Sequence, residues 1–165
     1  MKKILIFYIF FYLTTTFAIA EVNNFKKGQL NYLKEFIGTY KDEKIYADKY
    51  INQKMKDLFK TEINHLTKNL SVRGPIDFIS GNIVISGNAP HQGGSEMGIL
   101  CINLYNGEIS GAIYSNQNID IYSHEEKYQY LPISIKDTIA VWETNFQYRF
   151  NPPSNTKMIT SQWSQ

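Results

Sequence analysis

The chain has 165 residues, with 17 Lys and Arg against 15 Asp and Glu and a single cysteine. That length fits one domain. Lys2 and Lys3 fall in a leader-like start; without them the basic side chains balance the acidic ones, and no excess of cations remains to release counterions from nucleic acid.

The first twenty residues read as a secretory signal peptide. Lys2 and Lys3 form the positive n-region, Ile4 to Leu13 is almost wholly apolar, and Ala18-Ile19-Ala20 offers a small-x-small cleavage site before Glu21. Thr14, Thr15 and Thr16 break the apolar run short of the roughly 20 residues a bilayer requires. The expected product is a periplasmic or secreted protein with no membrane span after cleavage. Residues 21–150 are expected to form its one domain, and residues 151–165 an irregular polar tail with Pro152, Pro153 and a terminal Trp163.

Leu30, Leu33, Phe36, Ile37 and Tyr40 fall at helical spacing, with Gly38 as a stop signal. From Asp42 to Leu70 the residues Ala47, Ile51, Met55, Leu58, Phe59, Ile63, Leu66 and Leu70 recur every three or four positions, with polar residues on the other face. This predicts amphipathic helices turned to a core, with His65 exposed and idle on the solvated side.

At Gly74-Pro75 the period changes from 3.6 to 2. Ile76, Phe78, Ile83 and Ile85 read as an interrupted strand or a short pair with a turn or bulge at Gly81-Asn82. Met97 to Tyr105 is the next strand, with Leu100, Ile102 and Leu104 on one face and Ile99 and Cys101 on the other. Asn106-Gly107 predicts a two-residue type I′ hairpin leading to a partner strand from Glu108 to Ser115. Ser115-Asn116-Gln117-Asn118 turns the chain into a further strand carrying Ile119 and Ile121. Leu131, Ile135, Ile139 and Trp142 return to helical spacing, with Pro132 at the start and Ser134 and Asp137 spaced as a capping box. The predicted class is α+β: N-terminal amphipathic helices, an antiparallel β-meander and a C-terminal helix packed on the sheet. Cys101 is either a buried thiol or half of an intermolecular bridge, which leaves a homodimer open.

The segment Gly87-Asn88-Ala89-Pro90-His91-Gln92-Gly93-Gly94-Ser95-Glu96 lies between two strands that both look buried. Pro90 fixes its own φ and restricts Ala89, so the approach to His91 is stiff, while Gly93 and Gly94 admit conformations that other residues avoid. Such a loop presents an imidazole outward. Ser95 with His91 and either Glu96 or Asp120 supplies the groups of a hydrolase, but no G-x-S-x-G elbow is present. His65, His91 and His124 are scattered without metal-ligand spacing, so neither a metal nor a cofactor is expected. The glycines lack the G-x-x-x-x-G-K signature of a phosphate loop.

The order of helices, strand, Pro-His loop, meander and final helix resembles the inhibitor of vertebrate lysozyme family, Ivy. Members of that family are exported, mostly periplasmic α+β proteins in which a Cys-Lys-Pro-His-Asp-Cys-Gly-Ser loop protrudes into the lysozyme cleft. On the Pro-His pair, Pro90, His91, Gly94 and Ser95 match in residue type, while Asn88, Ala89, Gln92 and Gly93 stand where the family has Cys, Lys, Asp and Cys. The hairpin from Met97 to Ser115 and the Leu131-Pro132 pair fit the same frame, so the resemblance covers roughly Ile76 to Trp142.

It implies a non-enzymatic inhibitor whose partner is a lysozyme or another peptidoglycan hydrolase, with residues 88 to 95 as the inhibitory loop. A retaining lysozyme works with two carboxyl groups, one protonated and one ionised, and an imidazole placed between them can hydrogen bond to both. The missing cysteines withdraw a constraint on the order of 2 kcal/mol in the chain-entropy model. Asn88 is the residue expected to hold the loop instead, through side-chain to backbone bonds. A protein-binding module of the same fold with another partner, such as an immunity protein, is the alternative.

Overall fold

The computed structural model describes residues 25–161, so the expected leader and Trp163 lie outside the described residues. The first element is a 3-10 helix, Asn31–Phe36, ended by Gly38 at φ +76°. The long apolar stripe that follows is cut into three α-helices: α1 Asp42–Tyr46, α2 Lys49–Phe59 and α3 Ile63–Asn69. The first cut comes at Asp48, whose carboxylate caps α2 by accepting from Ile51 N at 2.9 Å. The second comes at Lys60, where φ is +50° and a short 3-10 turn, Lys60–Glu62, intervenes.

Seven strands follow: β1 Val72–Arg73, β2 Asp77–Ile79, β3 Asn82–Asn88, β4 Glu96–Asn103, β5 Ile109–Ser115, β6 Asn118–Ser123 and β7 Thr156–Thr160. The path through the sheet is β1-β3-β4-β5-β6-β7, with β2 also paired to β3. The strands β3 to β6 form the expected antiparallel meander, and β7 adds parallel to β6. The closing helix, α4 Ile133–Trp142, is followed by a 3-10 helix, Phe146–Arg149.

Both faces of the meander are covered. Ile83, Ile85, Leu100, Ile102 and Ile113 face α2 and α3, while Val84, Ile99, Cys101, Ala112, Ile119 and Ile121 face α4 and Tyr128. This accounts for the unbroken apolar runs Ile83-Val84-Ile85 and Ile99 to Ile102, since alternation weakens when neither face meets water. Two glycines let helices approach the sheet directly. A Cβ on Gly98 would lie 3.2 Å from Asn69 Cβ and 3.3 Å from Leu66 Cδ1, both on α3; one on Gly111 would lie 2.8 Å from Phe59 Cζ at the end of α2. Phe59 is buried and its ring sits 4.9 Å from that of Tyr122.

Several local expectations are corrected. The Asn106-Gly107 pair is not a two-residue hairpin: Gly107 has positive φ and Asn106 does not, and Ile102 pairs with Ile109 across a longer loop. Asn103 organises that loop by accepting from Tyr105 N and Asn106 N. Positive φ at both central residues occurs instead at Ser80-Gly81 and Asn116-Gln117, the tips of the β2–β3 and β5–β6 hairpins. Ser134 and Asp137 form no capping box, because Pro132 occupies the N-cap position; Ser134 lies buried against Cys101 Sγ at 3.1 Å, and Asp137 pairs with Arg149. The tail expected to be irregular contributes β7. Cys101 is a buried thiol, pushed up to about 12 by burial against a smaller opposing effect of the Ser134 hydrogen bond.

Candidate functional site: the Pro-His loop and its root

The loop joins β3 to β4 and consists of two turns built from its own backbone. Gln92 N donates to Ala89 O at 3.1 Å across Pro90 and His91, with His91 at φ +61°. Proline at the second position and positive φ at the third are the marks of a type II turn. A histidine there occupies the left-handed region at a cost of roughly 1–2 kcal/mol, which the surrounding bonds must hold in place. In the second turn, Gln92 O accepts from Ser95 N and Glu96 N, both at 3.1 Å, with Gly94 at φ +88°. Ala89 N donates to Glu96 O at 2.9 Å and closes the base.

The expected site residues fall into two groups. Pro90, His91, Gln92, Gly93, Gly94 and Ser95 are exposed at the tip. Asn88 ends β3 half-buried, and Ala89 is fully buried, so these two serve the root of the loop rather than its surface. Asn88 does hold the loop through its side chain: Nδ2 donates to Ala89 O at 2.8 Å, and Asn88 is also the residue that a Cβ on Gly93 would meet. His91 is exposed, and its ring makes no hydrogen bond among the described residues. Ser95 Oγ donates to Gln92 O at 3.2 Å rather than to an imidazole, so the pairing that a nucleophile requires is not assembled here.

At the root sits a polar cluster that the sequence did not announce. Glu96, the first residue of β4, receives Ser115 Oγ at 2.7 Å on one carboxylate oxygen. Its other oxygen lies 2.7 Å from His65 Nε2 and 3.3 Å from Asn69 Nδ2. His65 Nδ1 lies 3.2 Å from Glu62 Oε2. Desolvation alone would push the Glu96 carboxyl up, but hydrogen bonds from His65, Ser115 and Asn69 together hold it below its ordinary value.

His65 is therefore neither idle nor fully exposed; its side chain is 31% accessible and bridges two carboxylates. The available signals were a helical His three residues after Glu62, and a glutamate opening an otherwise apolar strand. Neither signal says that the two meet. Beside the cluster, a cleft of about 430 Å³ is lined by Glu62, His65, Ser115, Asp120 and Lys157, among others.

No curated protein and no solved structure matches the chain. The family model described as "Inhibitor of vertebrate lysozyme (Ivy)" matches residues 50–145, more than half of the chain. The matched span takes in the meander, the Pro-His loop and the His65 to Glu96 pairing. The chain therefore belongs to the Ivy family, the inhibitors of vertebrate lysozyme.

Proposed function

We propose that the chain inhibits a lysozyme by inserting the Pro90-His91 turn into the active-site cleft. The observation that carries this reading is an exposed imidazole at the apex of a hydrogen-bonded double turn, its ring without a hydrogen-bond partner among the described residues. Because the bonds at the root already fix the backbone, little conformational entropy is lost on insertion. The ring would stand between the two catalytic carboxyl groups, where the sugar would otherwise lie, and would hydrogen bond to both. Catalysis stops because the cleft is filled, so the inhibitor needs neither turnover nor a cofactor. Export with residues 1–20 as a cleaved leader would bring it to the compartment where peptidoglycan is attacked. Among the described residues no helix is long and apolar enough to cross a membrane.

The test is His91→Ala, assayed by lysis of cell walls with a vertebrate lysozyme. Inhibition should disappear while stability stays within roughly 0.5 kcal/mol, as expected for an exposed side chain without partners. Undiminished inhibition would reject the loop as the inhibitory element. A second reading, a non-lysozyme partner for the same fold, is favoured by the departures of Asn88, Gln92 and Gly93 from the family pattern. Capture of a different cell-wall enzyme without inhibition of any lysozyme would support it.

A further inference from the structure

We infer that Glu96 is a positioning residue for His91, a carboxylate that fixes the C-terminal stem of the loop to α3 and β5, with His65 as its hydrogen-bond partner on α3. The inference rests on the loop-insertion reading and adds to it how the loop is aimed and what loosens it.

Glu96 acts at the loop root through both its backbone and its side chain. Its carbonyl accepts Ala89 N and its amide donates to Gln92 O, so any movement of Glu96 is passed to both turns. Its carboxylate gathers donors from two other elements, His65 and Asn69 on α3 and Ser115 on β5. Asn69 is fully buried and also donates to Met97 O at 3.2 Å, which pins the next residue of the same strand. Bonds to an ionised acceptor are stronger than neutral ones, so the root is held more firmly than the tip.

His65 ties the cluster to α3. Both ring nitrogens face carboxylate oxygens, at 3.2 Å to Glu62 and 2.7 Å to Glu96. A ring that donates from Nε2 holds the Glu96 carboxylate whichever way Nδ1 meets Glu62. Loss of the His65 ring should loosen the stem, widen the excursions of His91 and weaken its grip on the cleft.

The experiment uses the full mature chain and reads amide hydrogen exchange at Gln92, Ser95 and Glu96 at one pH, corrected for intrinsic exchange. Alongside it, inhibition of a vertebrate lysozyme is measured for the wild type, His65→Ala, Glu96→Gln and His91→Ala. In His65→Ala, protection of these amides should fall several-fold below the wild type while amides of β5 keep theirs. Glu96→Gln should lose protection at the same amides and weaken inhibition roughly tenfold, the equivalent of one charge-assisted hydrogen bond.

Full protection retained in His65→Ala or in Glu96→Gln overturns the inference. Should Glu96→Gln not fold, His65→Ala alone decides between support and rejection, since that side chain is partly exposed. If His91→Ala inhibits normally, it is the loop-insertion reading that fails, and the exchange data still judge the anchor separately.

Discussion

A disulfide placed across the loop should strengthen it, and the geometry of the root allows the size of the effect to be worked out. An ideal Cβ added to Gly93 lies 3.8 Å from Asn88 Cγ and 3.7 Å from Asn88 Nδ2, with no other side chain among its nearest neighbours. An asparagine Cγ stands close to where a cysteine Sγ would, so the pair Asn88→Cys and Gly93→Cys needs only a sub-ångström adjustment to bridge. Gly93 does not have positive φ, so a side chain there carries no left-handed strain. Closing the short segment from 88 to 93 removes about 2 kcal/mol of unfolded-chain entropy in the loop model. Loss of the Asn88 Nδ2 to Ala89 O bond returns about 1 kcal/mol. Against the wild type the net gain of about 1 kcal/mol should raise Tm by about 3 °C; against the reduced double variant, which lacks the Asn88 bond too, the full gain of about 2 kcal/mol should raise it by about 6 °C. Because this entropy belongs to the unfolded chain and the root bonds already fix the folded loop, inhibition should stay close to that of the wild type. The assay compares thermal unfolding and lysozyme inhibition of the oxidised and reduced double variant, with bridge formation read by thiol titration in denaturant. An oxidised form that melts below the reduced one, or cysteines that refuse to pair, would refute the geometry of the root.

Three further outcomes are expected. Gly111→Ala places a Cβ 2.5 Å from Ile99 O and 2.8 Å from Phe59 Cζ, so β5 or α2 must move; urea unfolding should show a loss of about 3 kcal/mol. Glu96 has a folded-state pKa below its unfolded value, so its contribution to stability is complete above the unfolded carboxyl range and is lost as pH falls through the folded value. Acid unfolding of Glu96→Gln should accordingly be shallower than that of the wild type, and identical acid limbs would contradict the cluster. The Cys101 thiol, buried and pushed up to about 12, should resist a thiol reagent at mildly alkaline pH until the protein unfolds; rapid labelling of the native protein would show that the α4 face is open.

Much of this molecule was legible one residue at a time. Apolar spacing marked the helical stretches and the strands, because burial of one face imposes a 3.6 or a 2 period on the sequence itself. The same alternation put Cys101 with Ile99 and away from Leu100, as the two core layers confirm. A stiff approach to His91 followed from the restricted φ of proline, and the bond from Asn88 to the neighbouring backbone from the reach of its side chain.

Tertiary structure decided what depends on distant partners. His65 and Glu96 are 31 positions apart, and whether a helical histidine is idle or bonded is set by the strand lying beneath it. That strand comes close because Gly98 leaves room for Leu66 and Asn69. The parallel addition of β7 to β6 likewise has no strong local signature: Met158 and Ile159 are the only apolar residues from Thr156 to Thr160, and the segment forms an edge strand where an unpaired row of backbone groups awaits it. Local chemistry shaped the finger that carries His91; long-range packing supplied the carboxylate and imidazole at its base.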